Sequence, residues 1–217
     1  MWIMIYALMA SSGEADSVSY SMILPGLVYG DVLESADEWM GLFIVDCGHW
    51  MLRPVNLECI PEAPPLYEDE RPAGTIVILP DESESPLILV SSSPEVFSPG
   101  PVPALTESRI QLPADTSLCL ASPEIEESSL STTEEGLFLA AGGMTQRVTG
   151  TFPGTGPQSP FLSLVWAGDM DGDGRLDLLL DDVDNDYLIF SWDLYLSGEA
   201  GPGELVKKVA SFYDVYY

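Results

Sequence analysis

Positive charge is the scarcest thing in this chain. Seven lysines and arginines stand against thirty-five acidic residues, a formal net charge of −28 over 217 residues. A surface so negative repels phosphate backbones and anionic headgroups, which excludes nucleic acid and anionic membranes as partners. Histidine is nearly absent. His49 stands alone, beside Asp46 and Cys47, and must serve any Ser-His-Asp or Cys-His device. No Gly-x-Ser-x-Gly elbow exists to supply the serine, so His49 reads as a loop or strand residue without catalytic work. Three cysteines with no Cys-x-x-Cys spacing exclude a zinc knuckle. Gly142-Gly143 precedes no helical pattern, so a phosphate-cradling loop is missing as well. No apolar run reaches the about 20 residues that a membrane-spanning helix needs. Helical periodicity is confined to residues 32–41, with Asp31 as a cap.

What is present is apolar and strand-forming. Hydrophobic residues make up 46% of the chain, enough for a real core at this length. Short apolar stretches at 22–29, 40–46, 75–79, 87–91, 109–112, 117–121, 136–141 and 145–151 are punctuated by eighteen prolines and nineteen glycines. That spacing predicts an all-β, sandwich- or barrel-like N-terminal part over residues 17–150. Residues 122–135 are acidic and Ser-rich, which predicts a long solvated loop. Residues 151–160 are Gly/Pro-rich and read as a linker. Beyond it, four strands are expected at 161–167, 176–180, 187–196 and 204–216, a C-terminal unit of residues 161–217. A lone four-stranded unit exposes both faces and both edges, so it must pack on the rest of the chain.

Residues 1–16 begin with an apolar run of signal-peptide length followed by small residues, although no basic residue precedes Arg53. A buried first strand is the competing reading of the same run. Export would suit a Cys47–Cys59 bridge, worth roughly 3 kcal/mol in the chain-entropy model, with Cys119 left as a buried thiol between Leu118 and Leu120.

The most informative stretch is Gly168-Asp169-Met170-Asp171-Gly172-Asp173-Gly174-Arg175-Leu176-Asp177. Asp169, Asp171, Asp173 and Asp177 recur at alternate positions, with one step taken by Arg175. Carboxylates this close repel one another unless a hard cation sits among them, and calcium takes six to eight oxygens in a flexible shell. Gly174 follows the third aspartate where the loop turns. An EF-hand needs a glutamate at the twelfth position and flanking helices, whereas that position is Leu180 and both flanks have strand periodicity. The loop therefore joins two strands.

On these residues the stretch resembles the calcium hairpin of FG-GAP (VCBS-type) repeats, found in integrin alpha-chain propellers and many secreted bacterial proteins. The resemblance covers residues 168–180, and the strand pattern extends it over 161–217 as a single blade-like unit. It implies that Asp169, Asp171, Asp173 and Asp177, with the backbone carbonyl of Arg175, ligate Ca2+ while the Arg175 side chain points away. Only one such loop occurs, so a complete propeller is not expected. A second cluster, Asp182, Asp184 and Asp186, lacks the glycine and the ninth-position carboxylate and reads as the polar turn of the next hairpin, with a weak second calcium site as the competing reading. Asp181 is placed to assist the first site from outside.

The composite expectation is an exported, secreted or periplasmic, cell-envelope-type β-protein of bacterial character with one structural calcium site, acting as a binding or interaction module. A protein or a carbohydrate is its expected ligand; Trp39, Trp50, Trp166 and Trp192 can line a sugar platform, with core packing the default. The alternative is a secreted hydrolase with an accessory calcium site, although no carboxylate pair is singled out for glycoside chemistry.

Overall fold

The computed structural model describes residues 18–29, 38–45, 49–62, 74–79, 84–93, 95–106, 108–149, 162–183 and 189–215. The chain is all-β, with no helix among these residues. In chain order the strands are β1 (Ser19–Ile23), β2 (Gly26–Tyr29), β3 (Trp39–Val45), β4 (His49–Val55), β5 (Glu58–Glu62), β6 (Gly74–Ile78), β7 (Ile88–Ser93), β8 (Gly100–Val102) and β9 (Ile110–Gln111). They continue as β10 (Ser117–Leu120), β11 (Ser128–Thr133), β12 (Gly136–Ala141), β13 (Met144–Thr149), β14 (Leu162–Gly168), β15 (Asp177–Val183), β16 (Ile189–Leu196) and β17 (Lys207–Val215). Four sheets result, ordered β1-β7-β3-β4-β8, β17-β16-β15-β14-β9, β10-β11-β12-β13 and β2-β6-β5. Every strand pairing is antiparallel. The signal-like segment 1–16, the linker 151–160, Cys47, Asp184 and Asp186 lie outside the described residues.

The C-terminal sheet is the middle layer. On one face Trp166, Leu179, Leu194 and Phe212 pack with Met40, Leu42, Leu52 and Val90 of the first sheet. On the other, Leu164, Leu178 and Leu180 meet Leu130, Leu137 and Leu139 of the β10–β13 sheet. A strand covered on both sides has no reason to alternate polar with apolar, which is why β14 reads as a nearly unbroken apolar run and is buried at all seven positions. A register shift between Leu164 and Trp166 lets Val165 and Trp166 both enter the first core. The four expected strands are joined by a fifth, β9, which pairs Gln111 with Ser163 and Ile110 with Leu164. Packing of the C-terminal unit is thus within the chain.

Three expectations change. Residues 122–135 are not a single solvated loop: β11 runs through them as an inner strand between β10 and β12. Its inward positions are Ser128, Leu130 and Thr132, all buried. The two hydroxyl residues hide the alternation because their polar atoms are satisfied locally. Thr132 Oγ1 donates to the Pro113 carbonyl at 2.5 Å and accepts the Thr116 N–H at 2.9 Å, while Ser128 Oγ donates to the Glu126 carbonyl at 3.1 Å. The helix at 32–41 fails at its end, where residues 39–41 open β3; residues 30–37 lie outside the described set. Met40 and Leu42 are drawn into the first core, and burial overrides a weak helical pattern. Cys119 is an exposed free thiol, not a buried one, because β10 is an edge strand whose Leu120, not Cys119, faces inward.

Of the four tryptophans considered for a sugar platform, Trp50 and Trp166 are buried and meet edge to face at 6.5 Å, while Trp192 and Trp39 pack against core clusters. All four serve packing. His49 is exposed at the head of β4, opposite Val45.

Leu130→Ala distinguishes a core strand from a surface loop. Removing a fully buried leucine costs about 2–5 kcal/mol, whereas a solvated-loop leucine changes stability by about 0.5 kcal/mol or less; urea denaturation measures which.

Candidate metal centre

Strand β14 ends at Gly168, where there is no room for a side chain. A Cβ there would stand 2.4 Å from the Pro103 carbonyl oxygen and 2.3 Å from the Trp166 ring. This close approach lets the Asp169 N–H bond the same carbonyl at 2.9 Å and fixes where the next loop begins. Gly172 and Gly174 then take φ of +79° and +80°, the left-handed conformations that reverse the chain before β15. The expected turn at Gly174 is present, and Gly172 shares it.

Backbone amides converge on the carboxylates of this loop. Asp169 Oδ1 accepts the N–H groups of Gly172 and Asp173 at 2.8 and 3.0 Å, and its Oδ2 accepts Gly174 N–H at 2.9 Å. Asp177 Oδ2 accepts Met170 N–H at 2.7 Å, and its Oδ1 accepts Ser197 N–H at 2.7 Å. Asp171 Oδ2 accepts Gly198 N–H at 3.0 Å. Asp169 and Asp177 are buried and Asp171 half-buried. Each offers an oxygen within 4.8 Å of the others. Asp169 Oδ2 and the two Asp171 oxygens each accept a single hydrogen bond, which leaves a lone pair on each for a cation. These three aspartates could hold one metal ion, and an all-oxygen donor set suits a hard divalent cation.

The other two expected ligands sit differently. Asp173 lies at the rim, where its carboxylate takes the Arg175 N–H at 2.8 Å, Arg175 Nε at 2.9 Å and an ion pair to Arg175 Nη2 at 2.6 Å. The Arg175 side chain does not point away. It folds back over the loop, and Nη2 also donates to the Ser197 carbonyl at 2.9 Å. In a chain with so few basic groups, this guanidinium neutralises the carboxylate farthest into solvent. Asp181 is buried in β15 and forms an ion pair with Arg109.

The residues that close the centre from the far side were invisible in the motif. Ser197 follows β16, and its Oγ lies 2.9 Å from Asp177 Oδ1 and 3.0 Å from Asp173 Oδ1. Gly198 is confined as well, since a Cβ on it would stand 2.4 Å from Asp171 Oδ2. Glu199 follows, and its Oε1 accepts the Tyr20 hydroxyl at 2.8 Å. A Ser-Gly pair after a strand signals a turn and nothing about residues some twenty positions earlier.

Electrostatics match the crowding. Burial, and then the negative charge of Asp171, push the Asp177 carboxyl up to about 8. Burial and then Asp173 raise Asp171. Burial, then the bond to Glu199, hold the Tyr20 hydroxyl well above the usual phenol range, and the charges of Asp171 and Asp177 add to this. Comparison with protein-family models, curated proteins and solved structures returns no match to the chain.

Folded Asp177 keeps its proton to about pH 8, whereas an unfolded aspartate releases it near pH 3.9. In chelator, its contribution to stability is full at low pH and is lost as pH rises through about 8. Melting temperature in chelator therefore falls between pH 5 and pH 8, and Asp177→Asn flattens part of that fall in parallel thermal scans.

Proposed function

We propose that this chain is an exported calcium-binding β-protein, a cell-envelope or extracellular interaction module whose aspartate loop carries one structural Ca2+. The observation that carries the metal reading is the convergence of Asp169, Asp171 and Asp177 within 4.8 Å on a tight connector between two strands of the middle sheet. The alternating aspartates and the glycines at 172 and 174 support the FG-GAP-type reading of that connector. Calcium bound there supplies positive charge that offsets the repulsion among the carboxylates. The chain's own contribution is to hold those carboxylates in place with backbone amides and to shield two of them from water.

The export reading rests on the signal-like segment 1–16. A partly exposed site on one loop suits the roughly 10⁻⁴–10⁻³ M range of extracellular calcium modules. Net charge of −28 favours a calcium-rich compartment in the same direction, since bound cations relieve self-repulsion.

At calcium near tenfold its dissociation constant, linkage adds about 1.4 kcal/mol, which corresponds to a rise of about 3–6 °C in Tm for a chain of this size. Thermal scans with calcium and with chelator measure it; Asp171→Ala abolishes the rise, and identical melting of the wild type in both conditions refutes the reading. Gly198→Ala separates site from fold. The added methyl displaces the Asp171 carboxylate, a movable side-chain end, so calorimetric titration shows weaker calcium binding while the circular dichroism spectrum stays that of the wild type.

A further inference from the structure

The connection between β16 and β17 touches the aspartate cluster at one point and the first strand of the chain at the next. Ser197 N–H binds Asp177 at 2.7 Å, and Gly198 N–H binds Asp171 at 3.0 Å. Glu199, the following residue, accepts the hydroxyl of Tyr20 at 2.8 Å, a contact between positions 179 apart in sequence. Tyr20 belongs to β1, and its ring meets Phe97 edge to face at 6.0 Å in the core between the first and middle sheets. Among the described residues, strand β1 lies at the edge of its sheet and its backbone ladder runs to β7 alone. Its grip on the middle layer therefore depends on side-chain contacts such as this one.

We infer that cation binding at the aspartate cluster is relayed through Ser197, Gly198 and Glu199 to Tyr20, so that calcium locks strand β1 onto the middle sheet. The inference rests on the proposed calcium site and assigns it a regulated element. Without a cation, crowding among the three clustered carboxylates is most cheaply relieved at half-buried Asp171, the least buried of them. Its movement takes the partner from Gly198 N–H. The connection holds glycines at 198 and 201, which give the segment around Glu199 wider backbone freedom once the Gly198 bond is lost. Glu199 then moves off Tyr20, and β1 loses its tie at one end. A cation fixes Asp171, which seats Gly198 and, one residue on, Glu199. By linkage the relay is reciprocal: a loosened β1 weakens calcium binding by the factor with which calcium tightens β1.

Hydrogen exchange of Ser19–Ile23, followed by mass spectrometry in calcium and in chelator, reads the lock, while calorimetric titration on the same samples reads binding. In the wild type, calcium slows exchange in this strand by about fivefold or more. In Tyr20→Phe, calcium still binds, with an affinity lower by a similar factor, and the calcium-dependent slowing of Ser19–Ile23 disappears. Glu199→Ala, on the other side of the same contact, behaves alike and serves where the tyrosine variant does not fold. Calcium binding without a change in β1 exchange overturns the relay and leaves the metal site standing. So does either variant that keeps wild-type affinity and calcium-dependent protection. Absence of calcium binding in the wild type overturns the site and the relay together.

Discussion

Two carboxylates that cannot reach water, Asp169 and Asp177, set the terms for this end of the molecule. Burying an ionised carboxylate costs several kcal/mol unless charge or hydrogen bonds answer it. Here the backbone answers first, with amide N–H groups turned inward by two left-handed glycines and by the start of the β16–β17 connection. Such amides supply partial positive charge, and they hold the side chains facing one another instead of letting them splay. The same amides that make the loop fold keep three carboxylates close enough that they could hold one metal ion. Its outermost acid, Asp173, is handled separately by Arg175.

The loop can be held this tightly because its base is rigid. Strands β14 and β15 enter and leave it from the middle layer, with core on both faces. The first sheet reaches the loop through the Pro103 carbonyl, and the β10–β13 side reaches it through Glu126, whose N–H bonds the Gly174 carbonyl at 3.2 Å. The return connection is pinned from that side as well. The Gln146 side-chain amide imitates a strand neighbour, accepting Val206 N–H at 2.9 Å and donating to the Val206 carbonyl at 2.7 Å. Carboxylate geometry is thus fixed by parts of the chain far apart in sequence.

How much of this was legible varies with how local the cause is. The aspartate loop and its flanking strands could be read because alternation, turn glycines and apolar runs all lie within a dozen residues. Strand β12 was placed at its observed bounds for the same reason. Strand β4 was not foreseen because Pro54 breaks its pattern. Pro54 is tolerated because β8 pairs only with Trp50, Met51 and Leu52, leaving that side of the strand without a ladder to interrupt. Strand β11 was missed because serine and threonine occupy inward positions and satisfy themselves through nearby carbonyls. Ser197, Gly198 and Tyr20 were out of reach for a different reason: their placement follows from sheet order, which short-range pattern does not encode.

The larger apolar cluster draws on Met22 near one end of the described chain and Phe212 near the other. A ribosome adding about 5–20 residues per second takes roughly 10–40 s to pass between those two positions. Until β14 follows, the inner face of the first sheet, with Trp50, Leu42 and Leu52, lacks the layer that covers it in the folded chain. The cluster is complete only once β17 adds Ala210 and Phe212, so its last members are supplied by the end of the described chain.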